Sequence, residues 1–127
     1  MIPTPDFAIT SQRVVTPQGE RAAAILIHGE KILDIISISE IPSVCPVEDM
    51  GNHVVMPGLV DTHVHINEPG RTDWEGFETA TKAAAAGGIT TLVDMPLNCI
   101  PVTTTVDALN QKIEATKDQL WIDCGFY

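Results

Sequence analysis

The stretch "PGLVDTHVHINEPGRTDWEGFETATKAAAAGGITTLVDMP", Pro57 to Pro96, carries the pattern that decides the fold. Together with the "HVVM" before it, its opening reads as a valine-rich strand from His53 to Ile66, because β-branched and aliphatic residues favour extended backbone. "TDWEGFETATKAAAAGG" reads as a helix. Thr72 with Glu75 three residues on is a capping-box pattern that would satisfy free N–H groups, and the Ala83 to Ala86 run favours helix. Gly87 and Gly88 can supply the left-handed turn that closes it. Gly76 inside that helix costs about 1 kcal/mol relative to alanine, which predicts the close approach of another backbone. "ITTLVDMP", Ile89 to Pro96, is the next strand, ended by proline.

Working outward, "TTTVDALNQKIEATK" predicts a second helix with Val106, Leu109 and Ile113 on its apolar face. Thr104 and Asp107 offer another capping box, and Lys117 stands near the negative helix end. "LWIDCGFY" closes the chain as a third strand. The order β-α-β-α-β argues for a parallel sheet with right-handed crossovers. In the other direction, Phe7 to about Ser39 reads as a hairpin or meander, with turns at Pro17 to Gly19 and His28 to Lys31. Glu40 to Asn52 is a connector with room for one brief strand. The expected domains are therefore residues 1–52, part of a small β domain, and residues 53–127, an α/β unit.

Composition narrows the function. The 127 residues hold 7 Lys and Arg against 17 Asp and Glu, a formal charge of −10, which repels phosphate backbones and anionic lipid. Neither nucleic acid nor a membrane surface is an expected partner. The longest apolar runs, such as Ala22 to Ile27, fall far short of the roughly 20 residues of a membrane span. The first residues lack a basic segment followed by an apolar run, so no secretory leader is expected. The three cysteines, Cys45, Cys99 and Cys124, are widely spaced and odd in number. They suit buried thiols in a reducing, cytoplasmic setting better than a disulfide framework or zinc knuckle.

Side chains alternate faces along a strand, so Asp61, His63 and His65 share one face. The two histidine Cα atoms then lie about 6.6 Å apart, a separation from which both rings can converge on one ion at about 2.0 to 2.1 Å. The pair stands at the C-terminal end of the first parallel strand, where α/β proteins place their chemistry. An H-x-H on its own is equally a surface or hydrogen-bonded pair, so the surrounding order of motifs has to decide.

That order runs from Met56 to Asn98: proline-glycine, an apolar strand, D-x-H-x-H, E-P-G, A-G-G-I-T-T and D-M-P. It resembles the opening of the cyclic amidohydrolases, the branch of the amidohydrolase superfamily that holds allantoinase, dihydroorotase and hydantoinase. Within that branch "HINEPGRTDWEGF" and "DMPLN" are most similar to allantoinase. The resemblance implies the start of a TIM-like (β/α)8 barrel, preceded by part of a small β-sandwich domain that C-terminal strands complete. It implies a site for two divalent metal ions, zinc by expectation, with His63 and His65 as ligands of the more buried one. The implied reaction is hydrolysis of a cyclic amide, for allantoinase the opening of the hydantoin ring of allantoin to allantoate in purine catabolism.

Other residues follow from the same resemblance. Asp61 is expected to support the site or the strand rather than to ligate. Asn67 stands where dihydroorotases carry an arginine that grips a carboxylate, and its neutral amide suits a ureido group, so it is a candidate substrate contact. Asn98 is a second one, near an asparagine that family members use at the end of strand two, although the extra Leu97 leaves it equally readable as a turn residue. Arg71 and Asp73 are expected to form an exposed pair. His28 and His53 match no ligand and read as turn and strand residues.

The family completes its site with a carbamylated lysine, two histidines and an aspartate after strands four, five, six and eight. This chain reaches only the third strand, and two ligands fall short of the three protein ligands plus water of a catalytic zinc. The expectation is an incomplete chain, inactive alone and with no catalytic residue of its own, from an enzyme that is a homo-oligomer at full length. The alternatives are a truncated, non-catalytic interaction module that pairs its open sheet edge with a full-length subunit, and a dihydroorotase or hydantoinase relative.

Overall fold

The structure, a computed structural model, describes residues 3–127, and the chain divides into two units after Pro57. In the first unit β1 (Phe7–Thr16), β2 (Gly19–His28) and β3 (Lys31–Ile36) form an antiparallel meander. Its turns fall where the glycines allow them, with Gly19 at φ +112 and Gly29 at φ +56. Two short strands, β4 (Val47–Asp49) and β5 (Val54–Val55), both run parallel to β1. The register of β1 shifts between Ser11 and Val14, and the Ser11 hydroxyl donates to the carbonyl of His53 at 2.6 Å. This irregularity hands the edge of β1 from β4 to β5. The apolar run of β2 serves both faces of the sheet: Leu26 packs with Ala8 and Cys45, while Ala23 and Ile25 pack with Val14.

The second unit contains β6 (Leu59–Val64), α1 (Phe77–Ala86), β7 (Ile89–Asp94), α2 (Val106–Ala115) and β8 (Asp123–Phe126). The three strands are parallel in the order β6-β7-β8, as the β-α-β-α-β reading requires. Their core is Ile66, Phe77, Ala84 and Leu92, ringed by Val64, Ile89 and Phe126. Phe77 meets Phe126 edge to face at 6.1 Å. Among the described residues no helix is long and apolar enough to cross a membrane.

Several expected boundaries move. The strand expected from His53 to Ile66 is two strands. Val54 and Val55 pair with Arg13 and Val14 of β1, and a new ladder begins only at Leu59. Pro57 has no N–H to offer a ladder, so the break falls there and the division lies at Pro57 rather than at residue 52. The first helix starts at Phe77, not Thr72, and the Thr72 to Glu75 capping box does not form. Gly76 is the N-cap, and the Phe77 N–H donates instead to the Glu68 carboxylate at 2.9 Å. A Cβ on Gly76 would come within 3.1 Å of that carboxylate, so the close neighbour is a side chain and not another backbone.

The second helix is capped by Thr105, one residue later than expected, through its side chain and the Ala108 N–H. Its inner face also differs. Ala108, Lys112 and Thr116 are buried, whereas Val106 is 73 % and Ile113 45 % exposed. Of the expected apolar stripe, Val106 and Ile113 face outward and Leu109 is half-buried, while a lysine faces in. The last strand begins at Asp123 rather than Leu120.

Candidate metal centre

His63 is the penultimate residue of β6, and His65 follows the strand's last residue, Val64. Val64 and Ile66 turn toward the core, so the alternation leaves both imidazoles on the opposite side. Their ring centroids are 5.3 Å apart at an interplanar angle of 64°. The His63 ring lies open, while Nδ1 of His65 is buried without a hydrogen-bond partner. A buried ring nitrogen with no protein partner is costly, and a neutral imidazole with a free lone pair suits a metal ion. The donor chemistry fits a divalent cation but stops at two groups: among the described residues no three His, Cys, Asp or Glu side chains gather closely enough to hold an ion.

Asp61 lies on the same strand, half-buried, and its carboxylate accepts the backbone N–H of His63 at 3.0 Å. Asn67 is buried where the chain leaves β6, and its backbone shapes the following loop: its N–H donates to Glu75 and its carbonyl accepts from Arg71. That loop is locked to the one after β7. The Ile100 N–H donates to the Pro69 carbonyl at 2.8 Å, and Gly70, at φ +90, lies so close that a Cβ would stand 2.6 Å from the Ile100 carbonyl oxygen. The two glycine demands, left-handed backbone and no side chain, meet at this residue.

Asn98 is exposed, at φ 74, a left-handed conformation that asparagine tolerates. Its carbonyl accepts from the Arg71 guanidinium at 3.4 Å. That guanidinium also lies over the Trp74 ring, 4.9 Å from its centroid, so the expected Arg71 to Asp73 pair is replaced by a stacked one. His28 and His53 are elsewhere, in the first unit, bonded to Asp6 and to the Met50 carbonyl. All three cysteines are free thiols.

Sequence reading missed one pair beside the histidines. Asp94, the last residue of β7, and Lys112 of α2 are 0 % and 1 % exposed and form an ion pair at 2.5 Å. The second carboxylate oxygen of Asp94 accepts the Ile66 N–H at 2.7 Å. A signal was present: an aspartate ending the apolar run "ITTLVD" calls for a buried partner, and Lys112 lies four residues from both Ala108 and Thr116 on one helical stripe.

Parallel strands joined by helices define an α/β unit, a class of fold in which the carboxyl ends of the strands are the usual place for chemistry. Residues 54–127 match the amidohydrolase family, and the chain belongs to that family. It is 54 % identical to the allantoinase of Streptomyces avermitilis over 123 residues, 96 % of this chain and 28 % of that protein. It is 48 % identical to the probable allantoinase of Oryza sativa over 130 residues, covering 100 % of this chain and 25 % of that protein. Among solved structures, the L-hydantoinase (dihydropyrimidinase) of Arthrobacter aurescens superimposes with a TM-score of 0.84 at 34 % identity, over 98 % of this chain and 28 % of that one. The chain thus spans about a quarter of the length of the curated relatives it matches. The fold expected from the sequence, the start of a TIM-like barrel preceded by part of a small β domain, is the one this chain has.

Proposed function

We propose that this chain is the N-terminal portion of an allantoinase-type metal-dependent hydrolase that opens the hydantoin ring of allantoin to allantoate. The observation that carries the reading is the pair of imidazoles on one side of the β6 terminus, one of them with an enclosed and unpartnered nitrogen. In this reading His63 and His65 hold a divalent ion, zinc by preference, and further segments supply the remaining ligands. When bound, the ion lowers the pKa of water and polarises the amide carbonyl under attack. Asp61 steadies the His63 peptide through its backbone bond and does not ligate. Asn67 and Asn98 offer neutral donors and acceptors to a ureido substrate, which has no carboxylate for an arginine to grip. The 127 residues alone are inactive, since two ligands leave a catalytic zinc one short. The three free cysteines support a reducing compartment, and the full-length enzyme is a homo-oligomer.

Changing His63 or His65 to Ala in the full-length protein should abolish allantoin hydrolysis and lower metal content by elemental analysis, with the far-UV circular dichroism unchanged. Full activity and full metal content in both variants would end the assignment. The likeness to an L-hydantoinase favours one second reading, hydrolysis of a hydantoin or dihydropyrimidine ring. Comparing turnover of allantoin, hydantoin and dihydrouracil by one preparation separates these readings.

A further inference from the structure

The ladder between β6 and β7 ends at the pairing of Val64 with Asp94, so strand pairing no longer holds the backbone of His65. Other bonds hold it. The carbonyl of Val64, before His65, accepts the Met95 N–H at 2.7 Å. The N–H of Ile66, after His65, donates to Asp94 Oδ1 at 2.7 Å. The peptide units on both sides of His65 are therefore pinned by two successive residues, Asp94 and Met95. Lys112 Nζ clamps that pair from behind, donating to Asp94 Oδ2 at 2.5 Å and to the Met95 carbonyl at 3.3 Å. Asp94 and Lys112 are both enclosed, so their charges are met by each other and by these backbone groups rather than by water.

We propose that Asp94 is a positioning residue for the metal-binding pair, acting through the Ile66 N–H to set the orientation of His65, while Lys112 serves it by neutralising its buried charge. This rests on the ligand assignment made above. A pinned main chain limits where the His65 ring can stand, and a loosened peptide would let the imidazole swing away from its partner, His63.

The test compares two double variants in the full-length protein, stripped of metal and titrated with cobalt(II). Asp94→Asn with Lys112→Met removes both charges and keeps an oxygen that can accept the Ile66 N–H. Asp94→Leu with Lys112→Met removes that oxygen as well. Cobalt affinity, read by equilibrium dialysis and elemental analysis, should stay unaltered in the first pair and weaken about 10- to 100-fold in the second. The cobalt absorption band should shift in the second pair alone, although both melt cooperatively. If the leucine pair does not fold, Asp94→Thr with Lys112→Met makes the same comparison, because the shorter hydroxyl falls away from Ile66. Unchanged affinity and band on loss of the acceptor would overturn the proposal, as would an equal loss in both pairs. A control keeps the two readings apart. If the His63→Ala and His65→Ala variants bind cobalt normally, the ligand assignment itself is wrong. If they lose it while the acceptor-less pair does not, only the positioning role falls.

Discussion

A lysine ammonium that is 1 % exposed must find its counter-charge inside the protein, and Lys112 finds it in Asp94. Removing one member strands the other, which costs about 3–5 kcal/mol in a buried pair, while neutralising both together costs far less. Urea denaturation of Lys112→Met should show a loss of that size, and the Asp94→Asn, Lys112→Met double variant should recover most of it. A single variant as stable as the unaltered protein would mean the pair contributes nothing. Cys124 sits near the same charges. Burial, joined by the negative charge of Asp94 and opposed by Lys112, pushes its thiol up to about 11. An unfolded thiol ionises near 9.0, so below that pH both states keep the proton and the group is neutral toward folding. As pH rises from about 9 to about 11 only the unfolded chain ionises, and stability falls across that window. Urea midpoints measured across it should decline less steeply in Cys124→Ala.

At the scale of elements, both helices start where a specific oxygen meets the first free N–H groups. In α2 that oxygen is the hydroxyl of Thr105. Thr105→Ala should cost about 1 kcal/mol, read from the thermal midpoint, whereas Thr104→Ala should cost little. The reverse order would restore the cap that the sequence pattern favoured. In α1 the cap is supplied from nine residues away by Glu68, which also accepts from the Gln119 amide at 3.2 Å. No short pattern announces such a cap, because Thr72 and Glu75 match the local signature while the chain between them turns elsewhere. The same limit applies to the inner face of α2. Periodicity identified an apolar stripe but not Lys112, which is buried because an acid enclosed at the end of β7 needs a cation beside it.

At the scale of the whole molecule, the sheet of the second unit has β6 and β8 as its outer strands. Leu59, Val60, Trp121 and Tyr127, on or beside them, are exposed, as are Val106 and Ile113 on α2. Unpaired strand edges flanked by apolar side chains recruit other chains. The 127-residue chain expressed alone should therefore self-associate as its concentration rises, visible by light scattering. A monomer at every concentration would show these edges to be protected. The order of the elements, the parallel sheet and the shared face of His63 and His65 were determined by the sequence, because strand alternation, glycine turns and apolar runs are local rules that neighbouring residues satisfy among themselves. The break at Pro57, the inward face of α2 and the buried partnership around Asp94 were decided only by tertiary structure. Asp94 meets Lys112 across 18 positions and Ile66 across 28, and at such separations it is the folded backbone, not the spacing along the chain, that selects which charge and which N–H a carboxylate will meet.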